Sequence, residues 1–111
     1  MKIAVMATGA TLEADVAKWM QQKGYLLIID PETLECQAMQ NPVTEARGPS
    51  VGKLLTQILI QNNVWAIIVG NGEFKLLKEL ANSSIQIQVG LTGTVRNAVE
   101  QFKYSYCTVA V

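Results

Sequence analysis

The sequence predicts an α/β domain of three layers, α/β/α, around a mixed five-stranded sheet. Three observations lead there. Continuous apolar runs at residues 3–7, 25–29 and 65–69 suit strands covered on both faces. Segments with apolar residues at helical spacing alternate with such runs, and that alternation implies parallel strands joined by right-handed crossovers. One strand pair is separated only by a turn, which adds an antiparallel member.

Taken in order, residues 3–7 form the first strand, stopped by Thr8-Gly9. Leu12, Val16, Trp19 and Met20 then fall at i, i+4, i+7 and i+8, one face of a helix that Thr11 opens and Lys23-Gly24 closes. Trp19 and Met20 read as core residues of that helix. Residues 25–29 are the second strand. Asp30-Pro31-Glu32-Thr33 has Asp at the first and Pro at the second position of a type I turn. Beyond it Leu34, Cys36 and Ala38 alternate with Glu35 and Gln37, a half-buried strand that Asn41-Pro42 ends. Residues 43–49 are a loop, and Ser50 can cap the next helix, in which Val51, Leu54, Leu55, Ile58 and Leu59 keep strict helical spacing. A strand at 65–69 is followed by Gly70-Asn71-Gly72. Phe74, Leu77, Leu80 and Ala81 mark a further helix, whose Glu73, Lys75, Lys78 and Glu79 form a solvated face. A strand at 85–89 leads through residues 90–94 to a last helix carrying Val95, Ala98, Val99 and Phe102. The tail from Tyr104 has strand-like composition without an evident partner.

The chain has 111 residues, the size of one domain spanning 1–111, and buries roughly 65% of its unfolded surface without needing disulfides. Nine basic residues balance nine acidic ones and there is no histidine. Nucleic-acid binding by phosphate neutralisation needs clustered cations, so it is not expected. No His-dependent triad, Cys-His pair or His-type zinc site exists. No segment reads as a signal or a membrane span, so a cytoplasmic protein is expected. High apolar content with zero net charge favours self-association, so a homo-oligomer is expected. Cys36 fits a small core residue, and Cys107 reads as an exposed thiol in the tail.

Ligands of open α/β sheets sit beyond the carboxyl ends of the parallel strands. The candidate site is therefore Thr8 and Gly9, Gly70-Asn71-Gly72, and Thr92-Gly93-Thr94, with Arg47-Gly48 adding a cation. Such turns present backbone N–H groups and hydroxyls to an anion. The same residues also satisfy ordinary turn chemistry. No catalytic residue and no metal ligand emerge, and neither nucleotide-binding glycine motif is matched.

The order of these segments resembles the dinitrogenase iron–molybdenum cofactor biosynthesis domain, the type found in NifX, NafY and the C-terminal part of NifB. The resemblance rests on residues 1–5 and 25–30, on Asn41-Pro42, on Gly48, on residues 66–71, and on Gly93-Thr94-Val95 with Ala98-Val99. It implies a ribonuclease H-like fold without nuclease activity, since the first strand, at residues 2–7, carries no acid to hold catalytic metals. It also implies a link to nitrogen fixation and a non-enzymatic carrier or chaperone of an iron– or molybdenum–sulfur cluster. The partner implied is that cofactor or a cofactor-assembly protein. The family's two histidine-bearing motifs fall here on residues 19–22, Trp19-Met20-Gln21-Gln22, and on Arg47-Gly48, both without histidine. Two other readings stay open: an interaction protein that has lost cofactor binding, and a phosphate- or nucleotide-binding module.

Overall fold

A computed structural model of the chain describes residues 2–46, 48, 51–71, 78, 80 and 83–109, without the side chains of 105–109. The elements are β1 (Lys2–Ala7), β2 (Tyr25–Ile29), β3 (Cys36–Gln40), α1 (Val51–Gln61), β4 (Val64–Val69), β5 (Gln86–Val89) and α2 (Val95–Val109). The strands form one sheet in the order β3-β2-β1-β4-β5. β2 runs antiparallel to both β1 and β3, whereas β1, β4 and β5 are parallel. This is the mixed five-stranded sheet expected, with the single reversed strand of a ribonuclease H-like motif.

Alternation along the strands splits the core in two. Ala4, Met6, Leu26, Ile28, Ile67 and Val69 face one side, where Val51, Leu55 and Leu59 of α1 cover them. Ile3, Val5, Ala7, Leu27, Ile29, Ala66 and Ile68 face the other, under Val95, Ala98, Val99 and Phe102 of α2. The central strands are therefore apolar on both faces, which explains their unbroken hydrophobic runs. A register shift between Lys2 and Ile3 leaves Trp65 out of the β1–β4 pairing. Its ring packs on Phe102 at 5.5 Å between centroids.

Four expectations need correction. Residues 8–24 form no helix. They run as bends and turns with isolated bridges at Ala7–Val16 and Asp15–Thr94. Trp19 is not core: it is 48% exposed, while Met20 is buried. β3 begins at Cys36, because Leu34 takes the left-handed φ of 63° and belongs to the turn. Leu34 packs against the α2-side core, which offsets the cost of that backbone. The tail is not a strand, since α2 continues helically to Val109. The Ser50 cap and most of the helix expected from Phe74 fall outside the described residues. Of that helix, Lys78 is exposed and Leu80 is buried in the α1-side core.

Candidate functional site

Because β2 is antiparallel, one edge of the sheet collects the carboxyl ends of β1, β3, β4 and β5 and the start of β2. Residues 8–24 cross this edge and are tied down by long-range backbone bonds. Ala17 N donates to Met6 O at 2.7 Å, and Gly70 N donates to Ala17 O at 3.2 Å, so Ala17 bridges the ends of β1 and β4. Only glycine fits at 70, since a Cβ there would meet Ala17 O at 2.6 Å. Thr8 N donates to Asp15 O at 2.9 Å, and Asp15 N donates to the Thr8 hydroxyl at 3.2 Å. Val16 N donates to Gly93 O at 2.9 Å.

The structure thus brings Thr8, Gly70, Gly93 and Thr94 together, but through the crossing loop. The first N–H groups of α2 are engaged within the chain. Val95 N donates to Ala14 O and Arg96 N to Leu12 O, at 2.8 and 2.9 Å. Asn97 N donates to the Thr94 hydroxyl at 3.2 Å, which makes Thr94 the N-cap. Those donors hold the loop and cannot also hold an anion. Gly9 lies beside Ala14, and Thr92 and Gly48 are exposed. Gly93 and Gly48 adopt φ of 88° and 86°, which glycine alone takes without strain. Asn71 is exposed at the end of β4, next to Gly70. Arg47 and Gly72 lie outside the described residues.

An open cleft of about 840 Å³ lies at this edge on the β1–β2–β3 side. Thr8, Lys23, Gly24, Tyr25, Gln40, Asn41, Pro42, Thr44, Glu45 and Ala46 line it. Asn41 builds its wall. The buried Asn41 amide donates to Met20 O and Gln22 O, both at 2.9 Å, and its carbonyl accepts from Val43 N at 3.0 Å. Gln21 donates to Val43 O and Ala46 O, both at 2.9 Å, and so ties the loop to residues 43–46. The Gln22 carbonyl oxygen on its side chain accepts from Lys18 N and Trp19 N, capping residues 18–22. Lys23 and Tyr25 line the cleft with an ammonium and a phenol, while the hydroxyls of Thr8 and Thr44 donate to Asp15 O at 3.4 Å and to Gln22 O at 3.3 Å.

Of the sequence-derived candidates among the described residues, only Thr8 lines this cleft, and Ala46 directly precedes Arg47 in sequence. Lys23, Tyr25, Asn41, Thr44 and Glu45 were not foreseen. A signal existed: a turn at 30–33 must lie at the opposite edge, which places the open end of the hairpin beside the end of β1. Cys36 sits at that opposite edge, paired with Ile29, and burial pushes its thiol pKa up. Among the described residues no three His, Cys, Asp or Glu converge to hold a metal ion. No helix among them is long and apolar enough to cross a membrane.

Several solved structures share this fold. The apo form of the orange protein from Desulfovibrio gigas matches with a TM-score of 0.81 at 23% identity, over 94% of this chain and 88% of that one. A protein designated PH0822 matches at 0.75 and 15% identity, over 95% and 92% of the two chains. A putative NifB protein from Thermotoga matches at 0.72 and 23% identity, over 93% and 87%. At these identities the likeness establishes the fold. A search of curated protein sequences returned no match. The model of the dinitrogenase iron–molybdenum cofactor family, however, matches residues 1–105. The chain, with its β3-β2-β1-β4-β5 sheet and its strand-end cleft, belongs to that family.

Proposed function

We propose that the protein is a non-enzymatic carrier that shelters a preassembled anionic metal–sulfur species, as cargo, in the strand-end cleft. The observation that carries this reading is the cleft itself. It is about 840 Å³, opens to solvent, and is lined by Lys23 and by the hydroxyl-bearing Thr8, Tyr25 and Thr44, with Glu45 the one carboxylate among its described lining residues. The donor set suits the sulfide surface of a cluster rather than its metal ions, since no imidazole exists and Cys36 lies at the far edge. Lys23 would attract the cargo and the Tyr25 hydroxyl would donate to it, whereas the Thr8 and Thr44 hydroxyls already donate to Asp15 O and Gln22 O and hold the cleft wall. Arg47, next in sequence after Ala46, is the second cation we assign to this role, with Gly48 beside it. Gly9, Asn71 and Thr92 are proposed to contribute from the neighbouring strand ends, and Gly72 by its place in the sequence after Asn71. Gly70, Gly93 and Thr94 hold the crossing loop in place.

Anaerobic titration with tetrathiomolybdate tests this directly. Coloured species should co-elute with the protein after desalting, near one per chain. Lys23→Glu should weaken retention by roughly tenfold or more, because it reverses the charge in the cleft, while leaving the melting temperature unchanged. Complete separation of colour from protein would reject the carrier. A second reading, an interaction protein without cargo, is favoured by one observation. Trp19 is 48% exposed beside Lys18, whose Nζ lies 5.7 Å from the ring centroid. Exposed aromatic residues of this kind anchor protein partners.

A further inference from the structure

β3 is an edge strand, and nothing in its sequence protects that edge. Sheet edges are usually blunted by charge, proline or a bulge. Cys36-Gln37-Ala38-Met39-Gln40 has no charge and no proline, and it pairs with β2 in unbroken register. The bonds that flank the pair tell which backbone groups point outward. Asn41 N donates to Gly24 O, and Asp30 N donates to Glu35 O, both at 2.9 Å. Hydrogen-bonded pairs alternate in an antiparallel ladder. With Leu27 opposite Ala38, Gln37 and Met39 must bond inward to β2. Cys36, Ala38 and Gln40 then turn their N–H and C=O groups away from the sheet. Among the described residues no other segment donates to or accepts from those groups.

We infer that β3 pairs antiparallel with β3 of a second copy, about a two-fold axis through Ala38, to continue the sheet across a homodimer. The outward array is self-complementary in that register. Ala38 exchanges both of its bonds with the partner's Ala38, Cys36 exchanges with the partner's Gln40, and Gln40 with the partner's Cys36. Ala38 is exposed and small, so two copies meet without a clash at the axis. The nearest acid, Glu35, falls opposite the partner's Asn41 rather than a like charge, and the chain carries no net charge to oppose association. A foreign extended segment would find the same edge, but only a second copy brings a matching uncharged array by symmetry. A strand pair of this length is smaller than the interface of about 1,600 Å² typical of stable complexes. The dimer is therefore reversible and concentration-dependent. Gln40 also lines the cleft, so pairing would brace one wall of it.

Amide hydrogen exchange across a dilution series, with sedimentation velocity on the same samples, tests the pairing. The amides of Cys36, Ala38 and Gln40 should gain protection as concentration rises and the dimer fills, while those of Gln37 and Met39 stay protected throughout. Ala38→Pro removes an outward N–H and none of the β2 ladder, and proline is accepted at such edge positions. That variant should stay monomeric at concentrations where the native chain dimerises, with an unchanged melt when dilute. A native chain that is monomeric at its solubility limit overturns the inference. So does protection of Cys36, Ala38 and Gln40 that ignores concentration, or a dimer that survives Ala38→Pro. If Ala38→Pro fails to fold, the dilution series on the native chain decides alone.

Discussion

The crossing loop at residues 8–24 and helix α2 carry nearly the same apolar spacing and fold differently. α2 sends Val95, Ala98, Val99 and Phe102 into a single layer, which one helical face can serve. The loop serves two layers. Leu12, Ala14 and Val16 pack on the α2 side, while Ala17 and Met20 pack on the α1 side. No single helix face can reach both sides of a sheet. The loop instead passes over the sheet edge, and its backbone groups find partners in Met6, Gly70, Gly93, Val95 and Arg96. Periodicity thus reports a helix only where the segment faces one core.

If the loop is held from afar, the largest losses should come from changes that push it off the strand ends. A Cβ at Gly24 would run into the carbonyl oxygen of Ala7, and one at Gly70 would meet Ala17 O at 2.6 Å. Both contacts are backbone, so neither neighbour can rotate away. Gly24→Ala and Gly70→Ala should each cost about 2–4 kcal/mol in denaturant unfolding. A cost under half a kcal/mol at both, on the scale of a neutral surface change, would mean the loop is loosely seated. Asn41→Ala should follow, at about 2 kcal/mol, because it leaves the carbonyls of Met20 and Gln22 without their buried donor. That variant should also speed amide exchange of residues 43–46 more than of β1. Uniform acceleration along the chain would argue that Asn41 supports the whole fold and not the cleft wall. On the helical side of the comparison, Thr94→Ala removes the cap on Asn97 N and should cost about 1 kcal/mol.

This contrast also explains what was legible. The unbroken runs of β1, β2 and β4 and the inner faces of α1 and α2 are local patterns, each facing cores on fixed sides, and the sheet follows from them. The crossing loop and the C-terminal extension of α2 are decided by tertiary partners. The β-branched and aromatic residues after Phe102 favour strand locally, yet they simply prolong a helix already nucleated. The candidate site was half legible for the same reason. Thr8 and the glycine turns sit at strand ends that the alternation reveals. The cleft, however, is assembled by Asn41 and Gln21 reaching about twenty residues along the chain, and a single sequence marks no such pairing.

The smallest effect should come from the most local device in the molecule, the turn between β2 and β3. The Asp30 carboxylate accepts from Glu32 N at 2.9 Å and from Thr33 N at 3.3 Å. Those backbone donors, Glu32 first and Thr33 next, hold the Asp30 pKa below its ordinary value. A carboxyl whose folded pKa is depressed stabilises the fold above its unfolded pKa, about 4, and that contribution disappears as pH falls through the folded value. Asp30→Asn keeps an oxygen acceptor in the turn but cannot titrate. The native chain should therefore exceed Asp30→Asn in stability at neutral pH by a small margin that closes below about pH 4. Gly24→Ala, whose defect is steric, should instead run parallel to the native curve at every pH. Melting midpoints collected from pH 7 down to 3 separate the two behaviours. A constant offset for Asp30→Asn would show that the turn owes its stability to shape and not to the carboxylate charge, and the division between locally and remotely held segments would lose its local example.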